Sequence, residues 1–128
     1  MLNDFPLSAR LPASNIERAR AWYRDRLGLD PAKEGPLGNL WYETGGTWFM
    51  VYQTSAAGTA RNTAAGWQVK GIEKVMADLR GRGVVFEEYD LGPDFKTVDG
   101  LVTLPYGKAA WFKDSEDNII ELGEVTEG

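Results

Sequence analysis

Histidine and cysteine are both absent from the 128 residues of this chain. Without cysteine, the chain can form no disulfide, no thiolate nucleophile and no zinc site with sulfur ligands. Without histidine, it lacks the usual acid–base group at neutral pH and the commonest metal ligand. Any chemistry must therefore use carboxylates, tyrosine, lysine or an external cofactor.

Long apolar runs are also missing, since no stretch approaches the roughly 20 residues that a membrane helix needs. Residues 1–12 lack the basic start and apolar run of a signal peptide. We therefore expect a cytoplasmic protein with no membrane partner. The net charge of −5 disfavours nucleic acid as a partner. Four neighbouring arginines, interrupted by acidic residues, are interpreted as a solvated helix face: Arg18, Arg20, Arg24 and Arg26.

Two segments have the periodicity of amphipathic helices. The first is predicted to begin at Ser14, where Glu17 would complete a capping box, and to end at Gly28, which tolerates the left-handed conformation. The second is predicted to begin at Ile72 and to end at the glycines of positions 81 and 83.

Short strands are predicted around these helices, at 7–11, 40–43, 47–53, 67–69, 84–89, 98–104, 109–113 and 119–122. The two helices begin nearly half the chain apart, which indicates an internal duplication. We therefore expect a single domain, residues 1–128, made of two βαβββ repeats at about 5–54 and 64–123, joined by a linker at 55–63.

Three groups of residues, in this order and spacing, resemble the vicinal oxygen chelate superfamily of glyoxalases, bleomycin-resistance proteins and extradiol dioxygenases. They are Ser14 to Ala19 with Trp22, Tyr23, Leu27 and Gly28; Trp67 to Val69 with Ile72, Leu79, Gly83 and Val84; and Ala110 to Asp114 with Asn118 and Glu121. The resemblance implies an α+β fold, in which two βαβββ repeats form a curved mixed sheet around a cleft, and a homodimer. Asp117 stands where glycine is usual, but aspartate tolerates the left-handed conformation, so the turn should survive.

The resemblance also implies a divalent metal held by histidine and glutamate, and here the sequence departs from it. The corresponding positions carry Ala9, Ala64, Met50 and Glu121, so that only Glu121 keeps a group suited to a metal. A single carboxylate does not hold a catalytic ion. We expect no metal and no other cofactor, although an unusual site built from other carboxylates stays open.

Alternation along the strands, anchored on the positions that the resemblance implies, predicts which residues line the cleft. Trp48, Met50 and Tyr52 are predicted to face inward, while Phe49 and Val51 pack under a helix. The other predicted lining residues are Leu11 (with Ala9), Trp41, Gln68, Trp111 and Glu121. The alternative is that the tryptophans belong to the core. An aromatic lining without metal ligands suits a flat or apolar ligand.

Glu121 has three interpretations that the sequence leaves open. It could lie at the mouth of the pocket, solvated or paired with a cation such as Lys108. It could instead accept a hydrogen bond from a ligand, or act as a general base in the apolar surroundings of Trp111 and Met50, with Tyr52 as a hydroxyl donor. We expect metal-independent binding of a small aromatic or amphipathic organic molecule, as in a sequestration or resistance-like protein. The alternative is a glyoxalase- or dioxygenase-like lyase or isomerase, with Glu121 as base or metal ligand.

Overall fold

The computed structural model describes residues 1–125 as two copies of one pattern, a strand followed by a helix and three strands. The first copy contains β1 (Arg10–Ala13), α1 (Ile16–Trp22), β2 (Lys33–Glu34), β3 (Leu40–Thr44) and β4 (Thr47–Gln53). The second contains β5 (Thr63–Gln68), α2 (Ile72–Gly81), β6 (Leu101–Leu104), β7 (Gly107–Lys113) and β8 (Ile119–Val125). A π-helical turn, Tyr23–Leu27, continues α1 to Gly28, whose φ of 70° confirms the predicted left-handed end. The two predicted βαβββ units are confirmed.

Each copy forms one four-stranded mixed sheet, with the order β1-β4-β3-β2 in the first and β5-β8-β7-β6 in the second. The first and last strands of each copy run parallel, and the other neighbours are antiparallel. A parallel pair needs a crossover connection, and α1 and α2 open these two crossovers. The identical order in both sheets is what a duplicated unit produces.

A single cluster of buried apolar residues joins the helix-side faces of the two sheets. Phe49 and Val51 lie in it with 6% and 1% of their surfaces exposed, as predicted, and so do Ile120 and Leu122 of β8. Because side chains alternate along a strand, the intervening residues point away from the helices. We call this second surface the open face of each sheet.

Several strand boundaries differ from those predicted. The first strand begins at Arg10 instead of position 7, and β2 was not predicted because its two charged residues carry no alternation. Strand β5 begins at Thr63, within the predicted linker, where small residues hide the pattern, and a bulge follows that residue.

The predicted strand at 84–89 does not form. Val84 and Phe86 are buried and Val85 is exposed, so the segment has the pattern of a strand. However, its only ladder contact within residues 1–125 is a single bridge between Phe86 and Phe112. The predicted strand at 98–104 begins only at Leu101, because its first residues form a turn with left-handed backbone at positions 99 and 100.

The predicted capping box at the start of α1 is wrong. The N-cap is Asn15, whose side-chain oxygen accepts the Arg18 N–H at 3.0 Å. The Ser14 N–H instead donates to Glu116 of the second repeat at 2.9 Å, and the Asn15 N–H does the same at 3.0 Å. Glu116 therefore takes the role that Glu17 was predicted to have.

A second buried carboxylate lies in the same turn before β8. Asp114 accepts hydrogen bonds from the Tyr23 hydroxyl at 2.7 Å and the Asn118 side-chain amide at 2.9 Å. Burial raises the pKa of Asp114, while these hydrogen bonds and two from backbone N–H groups act in the opposite direction. Asp117 adopts a φ of 64°, so the predicted tolerance of this turn for aspartate is confirmed.

Glu116 should make the stability of the protein dependent on acidic pH. Burial by itself would raise the pKa of Glu116, but hydrogen bonds from Arg18, the Asn15 N–H and Ser115 outweigh burial and lower this pKa from 4.5 to about 2. A lowered carboxyl pKa stabilises the folded state by about 3 kcal/mol above pH 4.5, and this contribution disappears as the pH falls towards 2. We expect Glu116→Gln to lower the free energy of unfolding at pH 7 and to remove this part of the acid dependence, measured by urea unfolding.

Glu17→Gln is the matched control, because Glu17 is an exposed carboxylate on α1, the helix whose start Glu116 contacts. We expect it to change the free energy of unfolding by less than about 0.5 kcal/mol. A loss in Glu17→Gln equal to that in Glu116→Gln would show that the predicted capping box, and not the contact between repeats, holds the start of α1.

Candidate functional site

One row of paired residues crosses the open face of the first sheet. Arg10 on β1 pairs with Met50 on β4, Met50 with Trp41 on β3, and Trp41 with Lys33 on β2. Trp48 lies two residues before Met50 on the same face, and its ring centroid is 4.8 Å from that of Trp41. The structure thus brings three of the predicted lining residues together with a cation at each edge of the sheet.

Both cations lie against the tryptophan rings. The Arg10 guanidinium carbon is 4.8 Å from the ring centroid of Trp48 and 5.4 Å from that of Trp41. The Lys33 ammonium is 5.1 Å from the Trp41 centroid. At these distances a cation is attracted to the face of an indole ring. The cavity beside the two rings has a volume of about 730 Å³ and is also lined by Lys33 and Glu43.

The predicted orientation of β1 is wrong by one residue. Leu11 pairs with Val51, is only 1% exposed and belongs to the core, so Arg10 and Pro12 occupy the open face instead. Leu11 and Ala9 still line the cavity of about 410 Å³ that also contains Trp48 and Gln68. Ala9 also packs against the core. The error arose because β1 is short and the resemblance alone placed Ala9 inward. If the apolar Leu11 had been assigned to the core, alternation along the strand would have placed its neighbour Arg10 on the open face.

Three predicted residues of the second sheet line one cavity of about 260 Å³: Gln68, Trp111 and Glu121. Trp111 and Glu121 are cross-strand partners on β7 and β8. Within residues 1–125 the Glu121 carboxylate has no hydrogen bond or ion pair, because Lys108 pairs with Glu73 at 2.5 Å. Of the open interpretations, the pairing of Glu121 with Lys108 is therefore wrong, and a solvated carboxylate or a ligand-binding one stays open.

Gly123 has no side chain, and this leaves room beside it for the side chains of Gln68 and Glu121. A Cβ atom on Gly123 would lie 3.0 Å from both the Gln68 Oε1 and the Glu121 Oε1. The absence of a side chain here keeps the carboxamide and the carboxylate next to an open volume. A ligand that donates hydrogen bonds could reach both oxygens from that volume.

Two further aromatic residues, which the sequence did not point to, lie against Trp111. The ring centroids of Tyr89 and Phe95 are 5.6 and 5.8 Å from that of Trp111. Phe95 and Trp111 also line a neighbouring cavity of about 590 Å³. Tyr89 ends the segment that was predicted as a strand, and Phe95 lies in the irregular segment beyond it; together they leave Trp111 only 9% exposed.

The predicted lining residues are not gathered in one place. Trp41 and Trp48 share the first cavity, and Trp48 also shares a cavity of about 410 Å³ with Gln68 at the junction of the sheets. Gln68 in turn lines the cavity that contains Glu121. Tyr52 lies on the open face of the first sheet and lines none of these cavities. The two residues proposed for catalysis, Tyr52 and Glu121, therefore do not share a cavity.

No family model matches the chain, and no curated protein matches it. Solved structures do. The fosfomycin resistance protein FosX of Listeria monocytogenes, complexed with Mn(II) and sulfate, has a TM-score of 0.67 at 14% identity, covering 95% of this chain and 90% of that one. A glyoxalase/bleomycin resistance protein/dioxygenase of Alicyclobacillus acidocaldarius has a TM-score of 0.65 at 14% identity, covering 97% and 93%. UcmS2 has a TM-score of 0.68 at 16% identity, covering 93% and 98%.

The chain has the vicinal oxygen chelate fold. The resemblance inferred from the sequence is thus confirmed at the level of the fold, over nearly the whole chain. None of the helices described in residues 1–125 is both long and apolar enough to cross a membrane.

The residues on the open faces do not suit the metal ion expected of a vicinal oxygen chelate protein. No three carboxylates in the described part of the chain lie close enough together to hold an ion. The first sheet offers a guanidinium and a thioether, and the strand next to Glu121 offers Gly66 and the carboxamide of Gln68. Divalent ions need several oxygen or nitrogen ligands in a fixed shell. No step of the function proposed below passes through a metal.

Gly35 should set the position of Trp41. A Cβ atom on Gly35 would lie 2.6 Å from the Trp41 Nε1, closer than the two atoms can approach. We expect Gly35→Ala to push the Trp41 ring from its place beside Trp48, and so to shift the indole N–H signals of both residues in a ¹⁵N-correlated NMR spectrum. In Gly81→Ala, the control, the added methyl group meets open space. Unchanged indole signals in Gly35→Ala would contradict the described packing.

Proposed function

We propose that this protein binds a small aromatic or amphipathic organic molecule on the open faces of its sheets without a metal ion, as a sequestration or resistance-like protein. The observation that carries the proposal is the cavity on the second sheet. There three different strands supply Gln68, Trp111 and Glu121, and the Glu121 carboxylate has no partner within residues 1–125. Within the described chain, the Glu121 carboxylate is thus free to accept a hydrogen bond from a ligand in this cavity.

The physical chemistry of this cavity favours a ligand with both an aromatic and a polar part. Trp111 is 9% exposed, so a ligand meets the free edge of its ring, and an edge-to-face aromatic contact contributes roughly 0.5–1.5 kcal/mol beyond the burial of apolar area. A hydrogen bond to a charged group contributes roughly 1.5–3 kcal/mol. A ligand hydroxyl or amine that donates a hydrogen bond to Glu121 would therefore add to the binding free energy that the aromatic part contributes.

The comparisons support a small ligand only in a general way. FosX is a fosfomycin resistance protein, but at 14% identity it is similar to this chain in fold alone. Catalysis by Glu121 with Tyr52 has less support, because the two residues do not share a cavity. We also propose the homodimer that the resemblance implies, and the nearly complete exposure of the apolar side chains of Leu7 and Leu37 supports a covered surface.

A fragment library screened by the indole N–H signals should yield ligands that shift the Trp111 signal. For such ligands we expect Trp111→Phe to weaken binding about twofold to tenfold, because part of the stacking area is lost. Glu121→Gln should weaken those that carry an amine or hydroxyl by about tenfold or more, because the hydrogen bond loses its charge.

Glu43→Gln is the control for charge, since Glu43 lies on the open face of the other sheet. It should leave the affinity of these ligands unchanged. If both Trp111→Phe and Glu121→Gln leave every detected ligand's affinity unchanged, the cavity is not the binding site. If Glu121→Gln keeps binding but abolishes a turnover seen with the wild-type protein, the enzymatic alternative is favoured.

The metal content of the purified protein tests the proposal that binding does not depend on a metal ion. We expect elemental analysis to find far less than one divalent ion per chain, and a chelator to leave the melting temperature unchanged, because the open faces lack a ligand set. A tightly bound ion near one per chain would refute metal-independent binding.

A further inference from the structure

Two cations of the first sheet point at the same ring and have no carboxylate partner. Arg10 and Lys33 start from opposite edges of the sheet, in the row that contains Trp41, and their charged groups lie 5.4 and 5.1 Å from the centroid of that ring. Neither forms an ion pair with any residue in 1–125. The Arg10 side chain has one hydrogen bond within residues 1–125. Its acceptor is the Met50 thioether at 3.8 Å, which is a weak acceptor.

Six further cations of the described chain also form no ion pair, but among all these unpaired cations only Arg10 and Lys33 lie against tryptophan rings. The protein has 19 acidic and 14 basic residues, and six other cations pair with carboxylates: Arg18, Arg20, Arg24, Lys74, Lys108 and Lys113. Glu43 lines the same cavity as Lys33 but forms no ion pair with it. Two cations and one carboxylate thus face this aromatic surface, whose net charge is positive.

We propose that the open face of the first sheet binds an aromatic carboxylate, with its anionic group drawn to the cations beside Trp41, Arg10 and Lys33, and its ring against Trp48. This inference rests on the proposed function and names the ligand class for one of its surfaces. The guanidinium is planar and presents paired N–H donors that match a carboxylate. Because the guanidinium already lies against the indole rings, less side-chain freedom is lost on binding.

The aromatic part of the ligand follows from the neighbouring rings. Trp41 and Trp48 lie 4.8 Å apart at an interplanar angle of 39°, so they form two walls of the cavity beside Lys33. A flat ring can contact such walls while its carboxylate reaches the cations. An aliphatic acid would gain the charge contact but lose the stacking.

The test compares two probes of the same shape, 2-naphthoate and 2-naphthamide, which differ in charge. Binding is followed by the indole N–H signals, which distinguish Trp41 and Trp48 from Trp111. We expect naphthoate to shift the signals of Trp41 and Trp48 and to bind about tenfold or more tightly than naphthamide, the factor expected of a charge-assisted hydrogen bond. Raising the salt concentration from about 0.05 to about 0.5 M should weaken naphthoate alone, because the contact is exposed to solvent.

Substitutions of opposite charge should have opposite effects. Arg10→Gln should lower the affinity for naphthoate about tenfold, to the level of naphthamide, whereas Glu43→Gln should raise it by removing a like charge. Lys74→Gln, on the far helix and equal in charge change to Arg10→Gln, should have no effect. Arg10 is exposed, and an unchanged NMR spectrum of the free variant checks that it folds.

Equal affinities for the two probes at Trp41 and Trp48 would overturn the inference but leave the proposed binding of small molecules intact. Equal losses in Arg10→Gln and Lys74→Gln would also overturn it, since the effect would then come from net charge. If neither probe shifts these signals, the inference fails. If in addition no library fragment shifts Trp111, the proposed function fails with it.

Discussion

Two buried carboxylates in the turn before β8 hold the two repeats of this molecule together. Asp114 accepts the Tyr23 hydroxyl at 2.7 Å, and Glu116 accepts the N–H group of Ser14 at the start of α1. A buried charge without partners costs several kcal/mol, so these partners must all be in place at once. Because β8 follows directly, the same contacts determine where its alternation begins and hence that Glu121 reaches the open face.

The sequence segments that carry the family resemblance meet in this contact. Ser14 and Asn15 belong to the first segment, and Asp114 and Asn118 to the last. Their side chains and N–H groups are used between the repeats, away from the open faces. A chain can therefore keep these residues, and the fold with them, while the residues on the open faces change. This explains how the resemblance identifies the fold correctly although the metal positions carry alanine and methionine.

Alternation along β4 and β8 was predicted correctly because the resemblance fixed one position on each strand, Met50 and Glu121. On β4 both faces carry apolar or aromatic residues, so contrast alone could not have done so. The prediction failed for Leu11 on β1, because a strand of four residues offers too few positions to fix its register. The cap that Glu116 provides for α1 spans about a hundred residues, and no local pattern contains such a contact. Phe95 was missed because it lies outside any predicted element, and Tyr89 because it ends a predicted strand that does not form. What the sequence predicted was local periodicity, and what it missed were contacts between distant segments.

The two open faces differ in charge, and this difference determines which groups of a ligand each face attracts. The first presents a guanidinium and an ammonium beside indole rings, and the second presents a carboxylate and a carboxamide beside another. A fixed guanidinium can neutralise an anionic oxygen, as a metal ion does, but it has no open coordination site with which to activate water. Arg10 and Lys33 therefore make the first open face attractive to anionic groups, whereas Glu121 and Gln68 make the second attractive to hydrogen-bond donors. The two repeats thus share one fold and present surfaces of opposite charge.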